Sequence, residues 1–274
     1  MSPSPRPTTK TSIDRAPLSR RSYAAIAVIG LLALAAAGLI AMPASLMTHF
    51  MPAFIVADEL SGSVWHGAAG KLSIGGRPLG AVEWQLHPAA LWHLTLSGDL
   101  HWVKSGFQFS GEFEVDRHGI ALRDVSGGGP IEDLRDLGLP AGWQGVADIK
   151  LARFTGEFDA TGALIPQAAD GEIHVGSLSS TLIAGGVSLG QFVLRTREAA
   201  PAGTLAGQVS DEGGPLQVNA LVQISPKDHS GTLAGTLKER AEIPAALQEE
   251  IQNLAQMRGR DPQKRVPIDV EFNY

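Results

Sequence analysis

Apolar and polar residues alternate with a period of two through most of the chain. Phe107, Phe109 and Phe113 share one parity in the first clear run, and the stretches 216–224 and 266–272 repeat the alternation. Because successive side chains of a strand point to opposite faces, each run predicts a strand with one apolar face. The pattern predicts a mainly β protein whose antiparallel sheet has one buried face and one face in water.

Glycine-rich turn sequences separate these runs. They lie at 75–76, 116–119, 127–130, 159–162, 185–186, 211–214 and 225–231. Glycine and its polar neighbours supply the backbone conformations that tight turns need. Many strands joined in this way predict a sandwich of two sheets or one long sheet rolled over on itself.

Two stretches carry the signals of short helices instead. The first, residues 130–140, has a proline at its start, acidic residues in its first turn, and glycine and proline near its end. The second, residues 243–259, places Leu247, Ile251 and Leu254 at helical spacing. We expect this apolar stripe to cover the sheet; the alternative is a helix that binds a partner.

Two other stretches of the chain are similar to each other. Residues 69–86 and 179–196 both contain an apolar pair, Gly-Gly, a short spacer and Leu-Gly before the next strand. Each predicts a hairpin whose glycines adopt the positive φ of a tight turn. The repetition indicates either a duplicated two-part β domain, with halves near 44–140 and 141–274, or one hairpin solution reached twice.

An uncharged apolar segment of twenty residues runs from Tyr23 to Met42. An α-helix of that length spans roughly 30 Å, which is the thickness of a bilayer's hydrocarbon core. We expect an uncleaved transmembrane anchor; the alternative is a cleaved signal peptide, whose apolar region is shorter. The candidate anchor residues are Tyr23, Leu31, Leu32, Leu34, Leu39 and Met42.

The residues before this segment set its orientation. Residues 1–22 are rich in proline, serine and threonine, with five basic residues and one acidic residue. Such a tail cannot bury apolar surface, so we expect it to be disordered. Its positive charge predicts a cytoplasmic N-terminus, a single pass through a bacterial inner membrane, and a periplasmic β domain over 43–274.

Charge and cysteine content narrow the classes of partner. Residues 1–43 carry five of the 22 basic residues and one of the 28 acidic residues, so the remainder is acidic by about ten charges. This balance argues against nucleic acid or an anionic membrane surface as the main partner of the exported part. The chain has no cysteine, which suits an oxidising compartment and excludes thiol nucleophiles and zinc ribbons.

The sequence predicts no catalytic machinery. We find no His-Glu-x-x-His zinc site, no nucleophile elbow and no phosphate-binding loop. His66, His87, His93 and His101 crowd one region, but alternation places His66, His93 and His101 opposite their tryptophan neighbours, where we expect surface imidazoles. The prediction is therefore a protein that is not an enzyme and has no catalytic residue, metal site or cofactor.

A tryptophan-glycine motif runs through the stretch 60–91, and a glycine-aspartate turn precedes the final strand. The motif positions are Gly62, Trp65, Gly67, Leu79, Gly80, Trp84, Leu86, Pro88 and Leu91, and those of the final turn are Gly259, Asp261, Lys264, Arg265 and Pro267. Both patterns resemble the type II secretion system protein N family, also called general secretion pathway protein N. The candidate structural residues are Gly62, Trp65, Gly67, Gly80, Trp84, Pro88, Gly259 and Asp261.

The resemblance implies a role in protein secretion. It implies an anchored inner-membrane component, accessory to the machine that exports folded proteins from the periplasm across the outer membrane. Other inner-membrane secretion subunits are the implied partners, and the family supplies no catalytic residues. The long basic tail departs from the family pattern and leaves the cytoplasmic partner open.

Two further functions stay open at this point. A long curved sheet with an apolar inner face also forms a groove for lipid, so a periplasmic lipid- or glycolipid-handling protein is the alternative hypothesis. An envelope hydrolase is the third hypothesis, and no motif supports it.

Overall fold

The computed structural model describes residue 38 and residues 42–49, 51, 54–137, 141–159, 164–182, 186–197, 204–228, 230–240 and 243–273. The chain divides into two units, Met1–Met42 and Pro43–Tyr274. The predicted tail and all of the predicted anchor except residues 38 and 42 lie outside the described residues. Within the described residues, no helix combines the length and the apolar character that a membrane crossing requires.

Thirteen strands form the sheet in the part of the chain that the structure describes. They are β1 Ile55–Gly62, β2 His66–Ile74, β3 Arg77–Leu86, β4 Leu96–Lys104, β5 Phe107–Val115, β6 Gly119–Pro130, β7 Trp143–Phe158, β8 Leu164–Ser180, β9 Val187–Arg197, β10 Leu205–Gly213, β11 Leu216–Ser225, β12 Ser230–Glu239 and β13 Val266–Asn273. The helices are the α-helix α1 Ala245–Arg258 and the 3₁₀ helices η1 Ala44–His49, η2 Pro88–His93, η3 Ile131–Leu137 and η4 Pro226–Asp228. The helices η3 and α1 fall on the two stretches where the sequence predicts helices.

Each strand pairs antiparallel with the strand that follows it, so the sheet runs in order from β1 to β13. The prediction of a mainly β, antiparallel fold is confirmed. The described strands form one continuous sheet and not two separately hydrogen-bonded sheets, because each strand pairs with its neighbour in the chain. Register shifts between β2 and β3, β5 and β6, and β7 and β8 bend the strands locally.

The two faces of the sheet differ sharply in polarity. One row of cross-strand partners crosses the middle of the sheet with apolar residues and glycines alone: Leu60, Ala69, Val82, Trp102, Phe109, Gly127, Ile149, Ile173, Leu194, Val209, Ala220, Gly235 and Ile268. We call this side the apolar face. On the other side, the polar face, the neighbouring row includes Glu83, His101, Ser110, Ser126, Lys150, Glu172, Arg195 and Gln208.

A buried cluster covers the apolar face where β2 turns into β3. It contains Val82, Trp102, Phe107, Ile131 and Ala147. Since Ile131 belongs to η3, this short helix closes the cluster over strands from the first part of the sheet. We call this end of the strands, where η3 and α1 lie, the helix end.

A second buried cluster lies further along the same face. Its members are Val187, Leu189, Leu216, Leu247, Ile251 and Val266. The predicted stripe of α1 packs on the sheet as expected, because Leu247 and Ile251 are both buried in this cluster. Trp143 and Leu178 pack against both clusters, so the two form one continuous core.

The order of elements repeats along the sheet. Strands β2 to β7 include η3 before the sixth strand, and strands β8 to β13 include α1 at the same point. The second strand of each series bulges at a glycine, Gly80 with φ of 104° and Gly190 with φ of 106°. We call β2 to β7 the first half of the sheet and β8 to β13 the second half, a division that falls one strand later than the predicted boundary at 140–141. A duplicated domain stays a prediction.

Candidate interaction surfaces

The tryptophan-glycine motif fastens the turn between β1 and β2 to β3. The Trp84 Nε1–H donates to the carbonyl of Val64 at 2.8 Å. A Cβ on Gly67 would lie 2.5 Å from Cζ2 of Trp84, so only glycine leaves room for the indole there. The large and small side chains of the motif therefore fit one another.

The same turn is held at its other side by backbone contacts. Gly62 has φ of 79°, and a Cβ there would lie 2.3 Å from the carbonyl oxygen of His66. Trp65 is buried, and its carbonyl accepts a hydrogen bond from the Leu86 N–H at 2.7 Å. Two residues later Pro88 begins η2, where its missing N–H costs no helical bond.

Gly80 forms the bulge that lets β3 lie close to β4. A Cβ at Gly80 would lie 2.4 Å from the Val103 carbonyl oxygen. Two side chains of β4 reach back over this point: Trp102 Nε1 donates to the Leu79 carbonyl at 2.7 Å, and Lys104 Nζ donates to the Pro78 carbonyl at 2.8 Å. The bulge thus exposes carbonyls that β4 satisfies.

Gly259 and Asp261 shape the connection from α1 to β13. Gly259 ends the helix at φ of 79°, and its N–H donates to the Ala255 carbonyl at 2.9 Å. Asp261 accepts from the backbone N–H of Arg265 at 2.8 Å and from its Nε at 2.7 Å. Burial works to raise the pKa of Asp261, but these hydrogen bonds hold it below its usual range.

The predicted motif residues therefore fall into two groups in space. Six of them surround the first hairpins, and two lie in the turn before the last strand. The contacts of both groups serve packing and turn geometry. Of the candidate anchor residues, Tyr23, Leu31, Leu32, Leu34 and Leu39 lie outside the described residues, and Met42 precedes the β unit.

The strand β1 forms one edge of the sheet, and η1 contacts it. Among the described strands, β1 pairs with β2 alone. The Gly75 N–H donates to the Phe54 carbonyl at 2.8 Å, so the backbone groups of Phe54 point toward β2. Because the direction of these groups alternates along an antiparallel strand, those of Ile55 and Ala57 point to the side without a paired strand. Phe54 precedes Ile55, and Val56 lies between Ile55 and Ala57; the side chains of Phe54 and Val56 are both exposed.

The opposite edge, at β13, is blunted. Arg258 Nη2 donates to the Asp269 carbonyl at 3.0 Å, which places that carbonyl at the free side of the strand. Pro267 lies two residues earlier and has the same orientation, so its missing N–H costs no ladder bond. Proline and a capping side chain are two of the devices by which proteins discourage further strand pairing.

A hollow of about 670 Å³ lies on the polar face beside the motif. Its lining includes carboxylates and imidazoles from strands β2 to β6: Glu83, Asp99, Glu112, Asp124, His66 and His101. No set of three His, Asp or Glu residues in the described part of the chain is placed to hold a metal ion. Alternation along the strands predicts the polar character of these side chains, but the sequence analysis missed the concave surface that they share.

A network of charged groups occupies the polar face of the second half. His174 Nδ1 lies 2.9 Å from Glu212 Oε2, and its Nε2 lies 3.1 Å from Glu172 Oε2. Arg195 Nε donates to Glu172 Oε1 at 2.9 Å. The hydrogen bonds from Glu212 and Glu172 raise the pKa of His174, and those from Arg195 and His174 lower the pKa of Glu172.

One stretch of the chain has the residue spacing of a catalytic motif, contrary to the prediction from sequence. Residues 186–190 read Gly-Val-Ser-Leu-Gly, which has the spacing of a nucleophile elbow. Ser188, however, lies within β9 and pairs with Ser179 of β8. An elbow requires a sharp turn from a strand into a helix, so this serine has no such setting.

These features define a class of protein: a single-sheet β protein whose motif residues build its scaffold and whose open surfaces are suited to contacts. The sequence profile of the type II secretion system protein N family matches residues 54–268. The chain belongs to this family, which confirms the resemblance predicted from the tryptophan-glycine motif. It is a family of secretion-system components and not a known enzyme family. Searches of curated proteins and of solved structures found no match to the chain.

Proposed function

We propose that the chain is an accessory component of the type II secretion system, held in the inner membrane by the segment Tyr23–Met42. Its β unit stands in the periplasm and contacts other inner-membrane subunits, which supports export of folded proteins across the outer membrane. The observation that carries the proposal is the family match over residues 54–268.

The edge at β1 is the surface that best fits such a contact. Its free backbone groups at Ile55 and Ala57 offer a template for an extended segment of another subunit. Val56, which is 51% exposed, adds an apolar side chain beside these groups. At the β13 edge, Pro267 has no N–H to donate and the Asp269 carbonyl already accepts from Arg258. An added strand would therefore find fewer backbone partners at β13 than at β1.

The contact is tested by photo-crosslinking in cells that carry the complete machine. A crosslinking amino acid at Val56 of the full chain is expected to capture another secretion subunit. The matched control places the same amino acid at Val270, an exposed position on β13. Equal capture at both edges, or none at Val56, contradicts the assignment of β1.

A substitution at the edge provides an independent test. Ala57→Pro removes an N–H that points away from β2, so the fold retains its ladder bonds while strand addition is blocked. We expect export of a secreted substrate to fall several-fold. The matched control Ala57→Ser changes the side chain at the same position and keeps the backbone donor, and export should stay near the unmodified level.

Topology is tested separately. An alkaline phosphatase fused after Tyr274 is expected to be active, because that enzyme folds only in the periplasm, and the chain is expected to keep its full length in the membrane fraction. Cytoplasmic reporter activity contradicts the orientation. A product shortened by cleavage near residue 42 supports the signal-peptide alternative instead.

The lipid-handling alternative is favoured by one specific observation. The apolar row crosses all thirteen described strands, whereas η3 and α1 cover only the helix end of that face. Val270 and Phe272 are exposed on it. Native mass spectrometry of the full chain, extracted in mild detergent, distinguishes the two functions, since a retained acyl chain supports the alternative and its absence supports the contact role.

A further inference from the structure

The connection between β3 and β4 exposes large apolar side chains at the end of the sheet opposite the helix end. Trp92 is 90% exposed and Leu94 is 89% exposed, the highest values among the large apolar residues that the structure describes. Leu91 and Leu96 are also exposed, and no residue of η2 is buried. We call these four side chains the η2 tip.

The backbone at Leu94 is in an unfavourable conformation. Leu94 has φ of 58° and ψ of 32°, a left-handed conformation that bulky residues rarely adopt and that asparagine or glycine tolerates better. Its N–H donates to the Leu91 carbonyl at 3.0 Å, and Thr95 holds the Ala90 carbonyl through its N–H and hydroxyl. Packing within the chain gains nothing from a leucine here, so strain and exposure together point to a contact outside the chain.

The η2 tip lies at the end of the sheet where the β unit begins. Pro43 forms an isolated bridge with Ser63, in the turn between β1 and β2. The same turn is joined to the end of β3, because the Trp65 carbonyl accepts from the Leu86 N–H at 2.7 Å. The helix η2 starts two residues after Leu86.

We infer that the η2 tip inserts into the interfacial region of the periplasmic leaflet of the membrane that holds the anchor. The inference rests on the proposed anchor, whose last residue, Met42, directly precedes Pro43 in the chain. Tryptophan and leucine are side chains that bury well at the boundary between headgroups and acyl chains.

The chemistry of the tip indicates the kind of lipid surface. From Leu86 to Gly98 the chain has no Asp, Glu, Lys or Arg. Apart from His87 and His93, the tip carries no basic residue for anionic headgroups, so apolar burial in a zwitterionic leaflet is the contact it fits. The result is a second point of attachment, which fixes how the sheet is presented to other subunits.

The absence of native cysteine makes a site-specific test possible. Leu94→Cys in the full chain is labelled with the environment-sensitive dye NBD and reconstituted into phosphatidylcholine vesicles. We expect blue-shifted emission, several-fold weaker quenching by aqueous iodide, and quenching by nitroxide groups on the lipid chains. The matched controls are Met257→Cys and Leu182→Cys, which are 76% and 69% exposed at the helix end, and their labels should stay accessible to iodide.

Each outcome decides the proposal. A Leu94 label as accessible to iodide as the controls overturns it. A label that is aqueous in pure lipid but shielded in native envelopes also overturns it, because the tip then contacts a protein. Resistance to carbonate extraction, measured on the same samples, reports on the anchor alone, so failure of the anchor and failure of the tip are distinguishable.

Discussion

In each half of the sheet, a helix before the last strand covers a buried cluster, but the two clusters contain different kinds of side chain. In the first half, the ring centroid of Trp102 lies 5.8 Å from that of Phe107 and 4.9 Å from that of Phe109. The short helix η3 completes this cluster. In the second half the buried strand residues are aliphatic, and α1, with 14 residues, completes the cluster. Aromatic rings therefore accompany the short helix, and aliphatic side chains accompany the long one.

The halves also differ in what they offer to a partner. The first half adjoins β1 and carries the hollow on the polar face and the η2 tip. The second half ends in a strand whose edge Pro267 and Arg258 blunt. The first half therefore offers surfaces for contacts, whereas the second half ends in a strand that discourages further strand pairing.

Truncation of a core side chain should produce the largest effect and reveal the difference between the two clusters. Trp102→Ala removes buried rings and the hydrogen bond to Leu79, and should cost about 3–5 kcal/mol of unfolding free energy. Leu216→Ala should lower the unfolding free energy by about 2–5 kcal/mol, and by less than Trp102→Ala does. Chemical denaturation of the full chain in detergent, followed by circular dichroism, measures both. A larger loss at Leu216 contradicts the view that rings dominate the first half.

Substitution of Gly80 and Gly190 should show that the bulges of the two halves are equally sensitive to an added side chain. A Cβ at Gly80 or Gly190 would lie 2.4 Å from a backbone oxygen of the next strand, and both residues have positive φ. Gly80→Ala and Gly190→Ala should each destabilise the protein by about 1–3 kcal/mol.

The control for these variants is Gly176→Ala. The nearest atom to a Cβ there is 3.9 Å away, and the backbone is not in the left-handed region, so a thermal melt should barely change. A much smaller loss at Gly190 than at Gly80 would remove the structural basis for calling the halves repeats.

Relief of strain at the η2 tip should stabilise the protein while weakening its bilayer contact. Leu94→Asn places a residue that tolerates left-handed φ at a fully solvated site, and should add about 1 kcal/mol to the unfolding free energy in detergent. The same variant should increase iodide access to a label at residue 92. Lower stability in detergent would mean that Leu94 packs within the fold.

The smallest expected effect concerns pH and the polar face of the second half. Because the carboxylates raise the pKa of His174, its contribution to stability is complete below the unfolded-state pKa and is lost as pH rises through the higher folded-state pKa. NMR titration of the His174 ring should give a pKa above the usual value, and Glu212→Gln should lower it. Glu114→Gln, which alters a separate pair with Arg123, should leave it unchanged.

Much of this architecture was open to prediction from local sequence. The alternation around Phe107 and Phe109 predicts which residues share a face, and the stripe of Leu247 and Ile251 predicts a helix that covers the sheet. The motif on Trp84 and its neighbours predicts the family. The topology of the anchor stays a prediction, since nearly all of its residues lie outside those described.

Other features were beyond local reasoning because they depend on which strand pairs with which. Alternation is the same in a sandwich and in a single meander, so it could not choose between them. The hollow at Glu83 and Glu112 exists only because separate strands bend around it. The sequence places Trp92 four residues after Pro88 but does not say which end of the sheet it reaches.

Spacing along a few neighbouring residues is enough to predict the facing of side chains, the sites of the helices and the family. Only the three-dimensional structure shows that the thirteen described strands form one sheet, that the edge at β13 is blunted, and that the η2 tip lies at the same end of the sheet as Pro43. Those outcomes depend on register and curvature, which arise from contacts between residues distant in the chain.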